Sequence, residues 1–76
     1  MPRLTPVHWR TLVTLFEKEG YVTTRHEGDH IVMVKAGSLR PIVIPEYQQV
    51  PVFIIKNNLR TAGISRDRYF ELLASL

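Results

Sequence analysis

Trp9, Leu12, Val13 and Phe16 recur at the i, i+3, i+4, i+7 spacing that lines one face of a helix. Ahead of them, Thr5 has a capping side chain, and Pro6 suits a first helical position, where its missing N–H costs nothing. Gly20 suits the left-handed residue that closes a helix. A helix opening at Pro6 and ending before Gly20 is predicted, with Trp9 in the core.

The spacing then changes from helical to extended. "YVTTRHE" (21–27) is rich in β-branched and aromatic residues and reads as a strand. Gly28-Asp29 is a two-residue turn signal joining it to "HIVMVK" (30–35) as a hairpin. "AGS" (36–38) makes a second turn into "LRPIVIP" (39–45). Pro41 has no N–H to give a ladder, which places this third strand at an edge. The three strands form an antiparallel meander with "HIVMVK" in the middle.

Pro45 ends the sheet and "EYQQ" is a short loop. A second helix opens at Pro51, with Val52, Ile55, Leu59 and Ala62 on one face and Gly63 as terminator. Ser65 caps a last helix, "RDRYFELLASL", whose Asp67 sits in the first turn, where the helix dipole favours an acid. Tyr69, Leu72, Leu73 and Leu76 are expected to fold back on the core. The order is α-β-β-β-α-α: an α+β fold with a three-stranded antiparallel sheet and helices on one face. "IVMV" is apolar on both faces, so either neighbouring elements cover it or part of it is exposed for a partner, a second protein or a second copy of the chain.

Composition narrows the class. The 76 residues suffice for one domain over 1–76, which buries only about 60% of its unfolded surface. There is no cysteine, so neither a disulfide framework nor a cysteine zinc site is available, and a reducing cytosol fits. No apolar run is long enough to span a membrane, and "MPRLTPVHWR" lacks the apolar core of a secretory signal. A cytoplasmic, soluble protein is expected. The net charge of +3 favours contact with polyanions, although a merely soluble basic protein carries the same balance. Arg25, Lys35, Arg40, Lys56 and Arg60 outnumber Glu27, Asp29 and Glu46 in the middle of the chain, making them the candidates for contact with a polyanion.

Candidate chemistry gathers in "RHEGDH" (25–30). With Gly28-Asp29 as the turn, Glu27 faces His30 across the hairpin and Arg25 pairs with Val32 on the same face, while His26 points to the other face beside Ile31. A three-residue loop would instead set His26 opposite His30. In the first register, Glu27 or Asp29 can orient the imidazole and Arg25 can hold a phosphate. A lone histidine at a turn is also an ordinary solvated rim residue. His26, Asp29 and His30 form a conceivable metal set, but strand alternation separates the two histidines and no further ligand stands out. Tyr47 can stack on a base or pack at the sheet edge. His8 reads as an exposed or capping residue.

The chain resembles HicA-type mRNA interferase toxins, small proteins of bacterial toxin–antitoxin systems with a double-stranded-RNA-binding-like fold. The resemblance rests on "FEKEGY" at the end of the first helix, "RHEGDH" at the hairpin, "RPIVIP" in the third strand and "LRTAGISRDRYFELL" at the end. It implies a metal-independent endoribonuclease acting on mRNA without a cofactor, neutralised by a HicB-type antitoxin, with His30 as the catalytic histidine after the Gly28 turn. This chain departs from the family's usual pattern at Asp29, where serine or threonine is common, and at Tyr47, near which many members carry a histidine. The alternative expectation is a non-catalytic RNA-binding or protein-interaction module on the same fold.

Overall fold

The structure, a computed structural model, describes residues 3–76. Six elements follow in the expected order: α1 (Trp9–Lys18), β1 (Val22–Glu27), β2 (His30–Val34), β3 (Ile42–Pro45), α2 (Val52–Ala62) and α3 (Arg66–Ala74). The strands form one antiparallel sheet in the order β1-β2-β3, so β2 is central and β3 lies at an edge, but β3 is shorter than predicted and Pro41 precedes it rather than lying in it.

Alternation along β2 and β3 divides the sheet into two faces. Ile31, Met33, Ile42 and Ile44 point into a core shared with Leu12, Leu15 and Phe16 of α1, Ile55 and Leu59 of α2, and Tyr69 and Leu72 of α3. The other face carries His30, Val32, Val34 and Val43, none of which joins that core, and among the described residues no helix packs on it. Both alternatives for "IVMV" therefore resolve toward coverage. Ile31, Val32 and Met33 are buried and Val34 is half-buried, with Val32 lying between its strand partners Arg25 and Val43. Exposed apolar surface on this face comes instead from the edge strands, at Val22 and Val43.

The first helix begins later than its sequence suggests. Val7 is held extended by a bridge to Val50, whose N–H donates to the Val7 carbonyl at 2.7 Å. Thr5 and Pro6 therefore precede the helix, and the cap is His8, whose Nδ1 accepts from Arg10 N–H at 3.1 Å. Trp9 consequently stands in the first turn and is only partly buried, stacked on His8 and beneath the Arg10 guanidinium. At the other end Gly20, at φ 94°, lets the chain reverse: Gly20 N–H reaches the Glu17 carbonyl and Tyr21 N–H the Phe16 carbonyl. Tyr21 is thereby delivered into the core edge-on to Phe16.

Pro51 caps α2 rather than lying in it, Gly63 ends it, and Ser65 caps α3 by accepting from Arg68 N–H at 3.1 Å. The last helix stops at Ala74, so Leu76 lies beyond it, half exposed and outside the core. Arg68 fastens α3 to the end of α1 through Glu19, with 2.6 Å between Nε and Oε1. No helix among the described residues is long and apolar enough to cross a membrane.

Candidate active site

The β1–β2 hairpin closes on two residues. Gly28 has φ 60° and Asp29 has no positive φ, the pattern of a type II′ turn, whose first central position favours glycine. Such a turn matches the strand twist and fixes the pairing: Glu27 opposite His30, His26 opposite Ile31, Arg25 opposite Val32. The three-residue-loop register is therefore not the one adopted. Beyond Arg25 the register slips by one residue, leaving Thr24 as a bulge whose hydroxyl donates to the Val32 carbonyl at 3.3 Å.

This register puts His30 on the open face of the sheet, beside Glu27 and Arg25. Its side chain is about 45% exposed, and Nδ1 lies 2.8 Å from Oδ1 of Asp29. A carboxylate there favours the tautomer with hydrogen on Nδ1, leaving the Nε2 lone pair directed elsewhere. Arg25 Nε meets Oε1 of Glu27 at 3.1 Å, both ends well exposed. The cluster thus presents one imidazole, one guanidinium and two carboxylates to solvent.

On the opposite face, His26 Nε2 lies 2.8 Å from Oε1 of Glu46. The same glutamate's backbone N–H donates to the Asp29 carbonyl at 2.7 Å, tying the segment after β3 to the turn. Pro45, the strand partner of His30, has no N–H to offer, and Glu46 supplies the contact one residue on. Glu46 was not singled out from sequence. Its signal lies in the alternation of β3, which sets residue 46 on the same face as Ile44, the face that His26 shares through its partner Ile31. The conceivable metal set of His26, Asp29 and His30 is not brought together, since the histidines lie on opposite faces. Among the described residues no group of three histidine, cysteine or acidic side chains converges.

The five basic candidates do not form one patch around His30. Only Arg25 shares its face. Lys35 leaves the far end of β2, its stem beside Gly20 and its ammonium over the Tyr21 ring. Arg40 is exposed before β3, and Lys56 and Arg60 are exposed on α2.

These features define a class: a small α+β domain with a half-exposed, carboxylate-braced histidine at a hairpin on an uncovered sheet face. Residues 9–64 match the family model described as the HicA toxin of bacterial toxin-antitoxin, and the chain belongs to that HicA toxin family. No curated protein and no solved structure matches the chain.

Proposed function

We propose that this toxin is an endoribonuclease that cuts mRNA without a metal, using His30. The observation that carries this reading is the Asp29–His30 contact on the open sheet face. It leaves Nε2 of a half-exposed imidazole available to a substrate laid across the sheet. Histidine titrates near neutrality, with an unperturbed pKa of about 6.5, so it suits proton transfer at working pH. His30 takes the proton of a 2′-hydroxyl, whose oxygen then bonds to the neighbouring phosphorus as the bond to the 5′-oxygen breaks, leaving a 2′,3′-cyclic phosphate and a 5′-hydroxyl that takes its proton from solvent. Arg25 turns from Glu27 toward the phosphate and offsets its growing negative charge. Asp29 is a positioning residue that sets the imidazole's tautomer and direction.

Silencing follows from the same geometry. His30 stands on a face that no helix among the described residues covers, and Val43, two residues along β3 from its partner Pro45, exposes an apolar side chain on that face. A HicB-type antitoxin seated there excludes RNA from the imidazole. Inducing the wild-type chain should arrest growth and cleave mRNA, and His30→Ala should abolish both. RNA that is bound but left intact, with and without divalent metal, would identify a binding module instead. Loss of cleavage to a chelator would point to a metal.

A further inference from the structure

We infer that the RNA is single-stranded and that its bases stack on Tyr47 and Phe53 as it runs from His30 round the end of the sheet to the basic flank of α2, which packs on the opposite face. This rests on the ribonuclease reading and adds the form of the substrate and its path. Of the seven aromatic residues of Phe, Tyr and Trp type, Phe16, Tyr21 and Tyr69 are buried, and Trp9 and Phe70 pack against the core. Tyr47 and Phe53 are exposed, at 43% and 66%. Tyr47 lies on the segment that leaves β3 at the His30 end of the sheet, and Phe53 lies in the first turn of α2, into which that segment leads.

Their distance from the imidazole is bounded by the backbone. Pro45 is the strand partner of His30, and Tyr47 is two residues further on. Two Cα steps beyond a strand pair put the Tyr47 Cα at most about 13 Å from that of His30. The Tyr47 backbone is also held: its N–H donates to the Pro45 carbonyl at 2.8 Å, and its own carbonyl accepts from Trp9 N–H at 3.1 Å. Val50 is pinned to Val7 at 2.7 Å, fixing the entry to α2 and hence Phe53 in its first turn. The rings are thus carried by anchored backbone, which lowers the ordering cost of binding.

The chemistry beyond Phe53 fits a nucleic-acid strand. Phe53, Lys56 and Arg60 follow at i, i+3, i+7, one exposed stripe of α2. No ion pair among the described residues engages Lys56 or Arg60, leaving both charges available to phosphates. Aromatic faces interleaved with cations form the usual platform for unpaired bases. Duplex RNA keeps its bases stacked on one another, and it would be held through phosphates and 2′-hydroxyls alone.

The test uses the full chain carrying His30→Ala, so that RNA survives, with a 10-nucleotide single-stranded RNA and the duplex of the same sequence as probes. Tyr47→Ala and Tyr47→Leu should each weaken single-strand binding about tenfold, and Tyr47→Phe should stay within about twofold. Phe53→Ala should act in the same direction, and the duplex should bind more weakly and be indifferent to position 47. Single-strand binding unchanged in Tyr47→Ala, or equal to duplex binding, overturns the inference. It is equally overturned if Tyr47→Ala keeps its RNA and loses only a protein partner. Stacking that behaves as expected in a wild-type chain that never cuts RNA would sink the nuclease reading and leave this one standing. Cleavage that depends on His30 but not on Tyr47 or strandedness would do the reverse.

Discussion

His26 and His30 flank the same two-residue turn and stand on opposite faces of the sheet, one braced by Glu46 and the other by Asp29, each at 2.8 Å. Two histidines four residues apart thus have separate surroundings, and mutation can separate their roles. His26→Ala should leave RNA cleavage within a few-fold of wild type and lower stability by no more than about 1 kcal/mol, as for other exposed polar contacts. Cleavage rates and a denaturant midpoint check this.

Asp29 acts through His30 in this account, so its loss should appear in turnover rather than in affinity. Asp29→Ala should lower kcat by about ten- to a hundredfold with KM nearly unchanged, because a misdirected imidazole still sees bound RNA. A parallel rise in KM would make Asp29 a binding residue instead.

Arg25 is the one basic candidate on the His30 face. Replacing it with alanine should weaken RNA binding alike for all sequences and reduce the slope of log K against log salt by about 0.7, the share of one phosphate contact on a single strand. Its partner predicts the opposite sign: Glu27→Gln frees the guanidinium and removes a carboxylate from the phosphate path. A salt titration of both variants distinguishes this from an ion pair that only stiffens β1.

Gly28 sets the register that separates the two histidines. A side chain there meets no atom within 4 Å, so the obstacle is backbone strain at φ 60° rather than crowding. Gly28→Ala should cost about 1–2 kcal/mol, Gly28→Asn less, and Gly28→Val more. Thermal unfolding measures the order.

Tyr69 is 1% exposed and its hydroxyl has no partner among the described residues. Burial pushes its pKa above the ordinary tyrosine value, because the phenolate is poorly solvated inside. The folded state then holds the proton more tightly than the unfolded one, so stability falls as pH rises past about 10. Tyr69→Phe should remove that alkaline loss and be neutral or stabilising at pH 7, since an unpaired buried hydroxyl costs about 1–3 kcal/mol.

The hairpin was legible from sequence because its determinants are local. A glycine at the first turn position and strict alternation place Glu27, His30, Arg25 and Val32 on one face before any long-range contact is considered. The start of α1 was not legible for the converse reason. Thr5 and Pro6 carry the local chemistry of a helix start, but the Val7–Val50 bridge, spanning most of the chain, holds that backbone extended. Residue 46 was missed likewise, since its meeting with His26 depends on how β3 registers against β2. Nothing in the alternation of 22–27 marks Thr24 as a bulge, because its hydroxyl finds the Val32 carbonyl only in the paired sheet.

The most direct measurement is cleavage of a defined mRNA by the purified chain, wild type and His30→Gln, in the presence of a chelator. The glutamine keeps polar bulk on the open face and cannot shuttle a proton. Wild type should cut the RNA, and His30→Gln should bind it equally well but cut at least about a hundredfold more slowly. Equal cleavage by the two proteins would contradict a catalytic role for His30.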